Sequence, residues 1–133
     1  PHVFISAKNP LAKQDFVTLS DLMPYPYLSF EQGDYNSFYF SEEILSTISR
    51  PKNITVSDRA TLFNLLIGLN GYTISTGVIS HKLNSKDIVA VPLLVDERIT
   101  VGYITHKNVK NSPLANIYIE YLKASIKEER NKV

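Results

Sequence analysis

Residues 53–77, NITVSDRATLFNLLIGLNGYTISTG, constrain the fold more than any other part of the chain. Asn53-Ile54-Thr55-Val56 is β-prone, and Ser57-Asp58 supplies side-chain oxygens that accept from the free amides opening a helix. From Arg59 to Leu69 the helix is apolar nearly all round, through Ala60, Leu62, Phe63, Leu65, Leu66, Ile67 and Leu69, which predicts packing on more than one side. Asn70-Gly71 suits a left-handed stop, and Tyr72-Thr73-Ile74 is the next strand. Strand, buried helix and strand in succession are the unit of an α/β sheet. If the two strands run parallel, Ser57-Asp58 and Ser75-Thr76-Gly77 emerge at the same end of it.

The flanking sequence extends this unit. His2–Ser6 reads as a buried strand, ended by a turn at Asn9-Pro10. Val17 and Leu19 are β-like, and Ser20 can cap a short helical turn at Asp21-Leu22. Pro24 and Pro26 forbid a regular helix before a strand at Tyr27–Phe30, and residues 37–48 place Phe38, Ser41, Ile44, Leu45 and Ile48 on one helical face. Residues 88–94 and 98–105 read as strands joined through Val95-Asp96-Glu97, so Asp96-Glu97-Arg98 is a hairpin turn; Pro92 restricts the first to an edge or crossover position. Ser112-Pro113 opens a last helix with Leu114, Ile117, Tyr118, Tyr121 and Leu122 on one stripe. The alternation predicts an α/β sandwich, helices on a mainly parallel sheet with antiparallel pieces late in the chain. A strand that starts at residue 2 predicts a segment of a longer chain.

Composition removes several functions. With 133 residues and 44% hydrophobic content the chain suits one compact domain or two small lobes. Fourteen basic against thirteen acidic side chains, net charge +1, give no long-range field for a polyanion or an acidic membrane. The absence of cysteine excludes disulfides, thiolate metal sites and thiol nucleophiles and fits a reducing compartment. No apolar run approaches the roughly 20 residues of a membrane span, and no export signal opens the sequence, so a cytoplasmic location is expected. No phosphate loop, dinucleotide fingerprint, nucleophile elbow or paired-histidine zinc motif is present. His2, His81 and His106 lie far apart without a carboxylate at ligand spacing, so neither metal nor cofactor nor catalysis is expected. The aromatic crowd from Tyr25 to Phe40 reads as core or cleft wall.

What remains is the strand ends. A strand feeding straight into a helix aims free amides and a positive dipole end beyond the sheet, where ligands of open α/β sheets sit. Ser57-Asp58-Arg59 is then a helix cap, a ligand contact, or both. Ser75 and Thr76 donate and accept without filling the space a ligand needs, and Gly77 lets backbone approach closely.

These residues resemble a known family. AKNPLAKQDFVTLSDLMPYPYLSF is similar to the segment of LysR-type transcriptional regulators that reads as a strand, then HPLA, then a short helix and a further strand, with Asn9 where histidine is usual. TVSDRATLFNLLIGLNGYTISTGVI resembles the family's strand, apolar helix, glycine turn and strand. IVAVPLLVDERITVGYITHKN and SPLANIYIEYLKASI resemble its closing strands and last helix. Two departures stand out: Asn70 lengthens the glycine turn by one residue, and Gly77 stands where many members carry proline.

The resemblance implies an effector-sensing domain with the periplasmic-binding-protein-like (type 2) α/β fold, in which a metabolite binds between lobes. One lobe of mixed sheet with flanking helices would be complete, from about Asp15 to Asp87. Residues 1–14 and 88–133 would be crossover strands and part of the other lobe. The implied ligand contacts are Ser29, Phe30, Ser57, Asp58, Arg59, Ser75, Thr76 and Gly77, with Arg59 either pairing a ligand carboxylate or lying free on the surface. The effector would be a carboxylate or amino-acid-like metabolite. The full-length protein would self-associate and reach DNA only through a separate winged helix-turn-helix domain. Rival readings are an extracytoplasmic solute-binding protein and a small flavodoxin-like enzyme.

Overall fold

The computed structural model of the chain describes residues 1–31, 50–79 and 86–130. The helix expected over residues 37–48 lies outside them, as do Tyr35, Phe38, Tyr39, Phe40 and His81. The chain divides into two compact units, Pro1–Ile99 and Thr100–Val133.

In the first unit the order is β1 (His2–Ser6), a 3-10 helix (Pro10–Lys13), α1 (Leu19–Leu22), β2 (Tyr27–Phe30), β3 (Asn53–Val56), α2 (Arg59–Gly68), β4 (Tyr72–Ser75) and β5 (Ile88–Pro92). The strands form one five-stranded sheet in the order β3-β2-β4-β1-β5. β2 pairs in parallel with both β3 and β4, and β1 is antiparallel to both β4 and β5. The sheet is therefore mixed. The sense reversal comes from its first strand rather than from elements late in the chain.

Side chains alternate across the strands and build a core on each face. One holds Val3, Ile5, Tyr27, Tyr72, Ile74 and Val91 against Leu11 of the 3-10 helix, Leu22 of α1 and Val17 between them. The other holds Phe4, Leu28, Val56 and Ile88 against Leu62 and Leu66 of α2. Leu62 and Leu66 alone are buried on α2, one turn apart; Phe63, Leu65 and Ile67 are half-buried, and Ala60 and Leu69 are exposed. So α2 hides one stripe on the sheet and half-covers its flanks, while Ala60 and Leu69 stay exposed.

The local stops follow from side-chain chemistry. Thr18, not Ser20, caps α1: its hydroxyl lies 3.3 Å from the Asp21 amide, while Asp21 accepts from the Thr18 amide at 2.8 Å. At the end of α2, Asn70 takes φ 51, with the Gly71 amide donating to Leu66 O at 3.0 Å and the Asn70 amide to Ile67 O at 3.4 Å. Gly71 serves a different need, since a Cβ there would stand 2.9 Å from the Pro26 carbonyl oxygen, which already accepts from Tyr72. Pro92 sits at the end of the outermost strand, as its missing donor requires: the neighbouring Leu93 amide points to Pro1 O, just before β1, so the Pro92 nitrogen points away from β1.

Asn9 ties two of these features together. It is 2% exposed; its Oδ1 accepts from the Leu11 amide at 2.8 Å and its Nδ2 donates to Oδ1 of Asn70 at 2.9 Å. The turn after β1 is thereby joined to the stop of α2, 61 residues on.

In the second unit Ser112 caps α3 (Pro113–Arg130) by accepting from the Ala115 amide at 3.1 Å, as the Ser-Pro pair predicted. Residues 98–105 form no strand, and Asp96-Glu97-Arg98 is accordingly not a hairpin turn. β-prone residues need a partner strand, and Val101, Tyr103 and Ile104 are exposed instead. The expected stripe of α3 is also largely uncovered: Leu114, Ile117, Tyr118 and Tyr121 are exposed, while Ala115, Ile119, Leu122 and Ile126 on the adjoining stripe are half-buried.

Replacing Asn9 with alanine removes a buried acceptor and donor together and strands the Asn70 amide group. The expected loss is about 1–3 kcal/mol in urea unfolding, and an unchanged midpoint would show that the Asn9–Asn70 bond does not hold the two turns.

Candidate functional site

Because β3, β2 and β4 are parallel and adjacent, their carboxyl ends lie along one edge of the sheet. β2 and β3 stay in register along their length, with Tyr27 level with Asn53 and Phe30 level with Val56, and β2 meets β4 at Tyr27 and Tyr72. β2 stands between the other two strands. The antiparallel β1 brings its beginning to the same edge, with His2 opposite Ser75 on one side and Pro92 on the other.

Seven of the eight residues singled out in the sequence converge here: Phe30, Ser57, Asp58, Arg59, Ser75, Thr76 and Gly77. Ser29 stands one residue inside β2. It is 8% exposed and points to the opposite face from Phe30, its hydroxyl 3.1 Å from that of Thr55 on β3. This bond satisfies a buried hydroxyl and occupies it. Phe30 is half-buried and packs on the core beneath α2.

Asp58 is the cap of α2, its Oδ1 accepting from the Thr61 amide at 2.8 Å. The bond from Thr61 holds its carboxyl below the ordinary 3.8, so the carboxylate is ionised and neutralises the positive end of the helix. Arg59 is exposed and makes no ion pair among the described residues. Ser57 is exposed beside it. The α2 start thus presents a cation and a hydroxyl, while the Asp58 carboxylate is engaged with backbone.

Across the edge, Ser75 and Thr76 are half-buried and Thr76 Oγ1 accepts from the Val78 amide at 3.3 Å. Gly77 has φ +86, which side-chain-bearing residues rarely adopt. A Cβ there would fall against Nδ1 and Cγ of His2, well inside contact distance. Sequence reasoning missed His2 at this edge. Its placement depends on β1 running antiparallel to β4, and local pattern does not carry that pairing.

No group of three or more His, Asp or Glu side chains that could hold a metal ion occurs among the described residues. Two grooves of the second unit, roughly 420 and 370 Å³, run along α3; the larger is lined by Asn116, Ile117, Glu120, Tyr121 and Ala124. Their walls are mainly apolar, so they suit packing, whereas the sheet edge carries the polar convergence.

No protein-family profile matches the chain, and no curated protein matches it in sequence. Solved structures do. HinK, a LysR family transcriptional regulator from Pseudomonas aeruginosa, is 18% identical with a TM-score of 0.57, over 90% of this chain and 42% of that one. The effector binding domain of BenM, solved with its effector benzoate, is 21% identical with a TM-score of 0.54, over 96% and 57%. The effector binding domain of QuiR, in complex with shikimate, is 17% identical with a TM-score of 0.51, over 98% and 61%. The chain has the fold of LysR-type effector-binding domains, the type 2 periplasmic-binding-protein-like fold, and spans less than two thirds of each of these proteins.

Two outcomes follow. Gly77→Ala should lower stability by about 1–3 kcal/mol through its positive φ, with the clash against His2 adding to it; a neutral effect in urea unfolding would refute the described turn. Asp58→Ala should destabilise the protein at neutral pH. Because the folded carboxyl is depressed, that difference is full above the ordinary carboxyl value and shrinks as pH falls through and below it. A parent-to-variant gap that stays constant from neutral pH to about pH 2.5 would rule out the ionised cap.

Proposed function

We propose that this chain is the ligand-sensing part of a LysR-type transcriptional regulator. It binds a small metabolite and thereby modulates DNA binding by a separate winged helix-turn-helix domain. The observation that carries this reading is the single polar sheet edge onto which the start of α2 and the end of β4 converge, in a fold shared with effector-binding domains. Ser57 and Arg59 on one side and Ser75, Thr76 and Gly77 on the other are the ligand contacts. Phe30 forms the apolar wall, and Ser29 and Asp58 hold the strand end and the helix start in place.

A carboxylate or amino-acid-like metabolite suits this edge. Arg59 supplies the charge, the α2 start supplies amides, and the small hydroxyls accept or donate as needed. The lobe between about Asp15 and Asp87 is complete on this reading and shares its sheet with β1 and β5; residues from 88 onward lead toward the other lobe. The protein is not an enzyme on this reading: Asp58 is engaged as a helix cap, and the similar structures are regulators and effector-binding domains. It works in the cytoplasm, in keeping with a composition free of cysteine; no described helix is long and apolar enough to cross a membrane.

Signalling is a population shift between two lobe arrangements, and it extends only as far as the ligand's preference for one of them. A tenfold preference supplies about 1.4 kcal/mol to the DNA-binding end. Full-length protein should self-associate, and its thermal midpoint should rise with at least one of a panel containing benzoate, shikimate, amino acids and uncharged apolar analogues. A response to the apolar analogues alone would defeat the carboxylate assignment. No response to any metabolite across a broad panel would defeat the sensor reading itself.

A further inference from the structure

His2 is a polar group at this edge that the proposed contacts do not employ and that has no hydrogen-bond partner among the described residues. Its side chain lies on the face of the sheet that carries Phe4, opposite Ser75 and Pro92, with Gly77 passing directly over the ring. Both ring nitrogens are shielded and neither has a hydrogen-bond partner among the described residues. Burial pushes the imidazole below its ordinary 6.5, so the ring is mainly neutral at pH 7. A neutral imidazole carries one N–H donor and one acceptor nitrogen. Leaving both unmet carries their full desolvation cost, which a phenyl ring of the same shape would avoid. Packing therefore gives no reason for histidine at this position.

We propose that His2 is a ligand-contacting, specificity-determining residue of the sheet edge, and that its ring N–H donates to a carboxylate oxygen of the effector. This rests on the sensor reading and adds a donor on the β4 side, facing the Arg59 side across the end of β2. The turn over the ring is suited to admitting a ligand. Gly77 carries no side chain and has the backbone freedom to move, and the turn is closed by a long 3.3 Å bond from the Val78 amide to Thr76 Oγ1. Once the turn lifts, Ser75, Thr76 and the imidazole face one anionic group together.

The test uses full-length protein, calorimetric titration with benzoate, shikimate and L-glutamate, and the thermal midpoint of each variant. His2→Phe keeps the ring and deletes both nitrogens. It should weaken the carboxylate that the parent binds best by tenfold or more while leaving the midpoint unchanged or raised. His2→Gln, which restores a donor, should recover part of the affinity and provides the readout if the phenylalanine variant does not fold. Equal affinity in parent and variants would overturn the role of His2 and leave the sensor reading standing. A lowered midpoint with unchanged affinity would assign the ring to packing and overturn it equally. If the parent binds none of the three probes, this inference falls with the carboxylate assignment it rests on.

Discussion

The central constraint is that β2 is paired in parallel on both sides. Parallel neighbours cannot be joined by a tight hairpin, so the chain leaving β3 must travel back along a face of the sheet before β4 can form. α2 makes that return and buries Leu62 and Leu66 against Leu28 and Val56. The same constraint aligns the carboxyl ends of three strands, and with them every polar residue of the edge. Leu28 and Tyr27, 0% and 2% exposed, show how far the central strand is enclosed. Fully burying two such side chains contributes on the order of 1.5–3 kcal/mol each, enough to make this pairing the scaffold on which weaker features rest.

Much of this was legible because it is local. Asp58 before an apolar run announced a helix start, Asn70-Gly71 its end, Pro92 an outer strand and Ser112-Pro113 the last helix, each through chemistry confined to a few residues. The direction of β1 was not legible, since nothing in HVFIS records that its partners lie near Tyr72 and Ile88. Residues 98–105 show the same limit from the other side: RITVGYIT has strand composition, but composition supplies no hydrogen-bonding neighbour. Ser20 and Thr18 illustrate a finer failure. Both are capping residues, and the choice fell to Thr18 because Asp21 three residues later completes a reciprocal pair. Of the edge, six residues were singled out from two strand-end patterns and Phe30 from the family resemblance, whereas His2 needed the sheet order.

The edge also divides labour among similar side chains. Ser29, Asp58 and Ser75 are all small and polar, yet Ser29 is absorbed by Thr55 across the strands and Asp58 by the first turn of α2. These bonds hold geometry. Arg59 and Ser57 are exposed there and Ser75 is half-buried.

Pro92 has an effect beyond ending β5. Its nitrogen offers no donor on the outer rim, and its carbonyl there already accepts from the Val17 amide at 2.8 Å, while Leu94 donates to Val17 in return. A foreign chain seeking to zip onto the sheet from this flank would find that end of the ladder sealed. Pro92 and Val17 thus blunt this flank against intermolecular β-stacking.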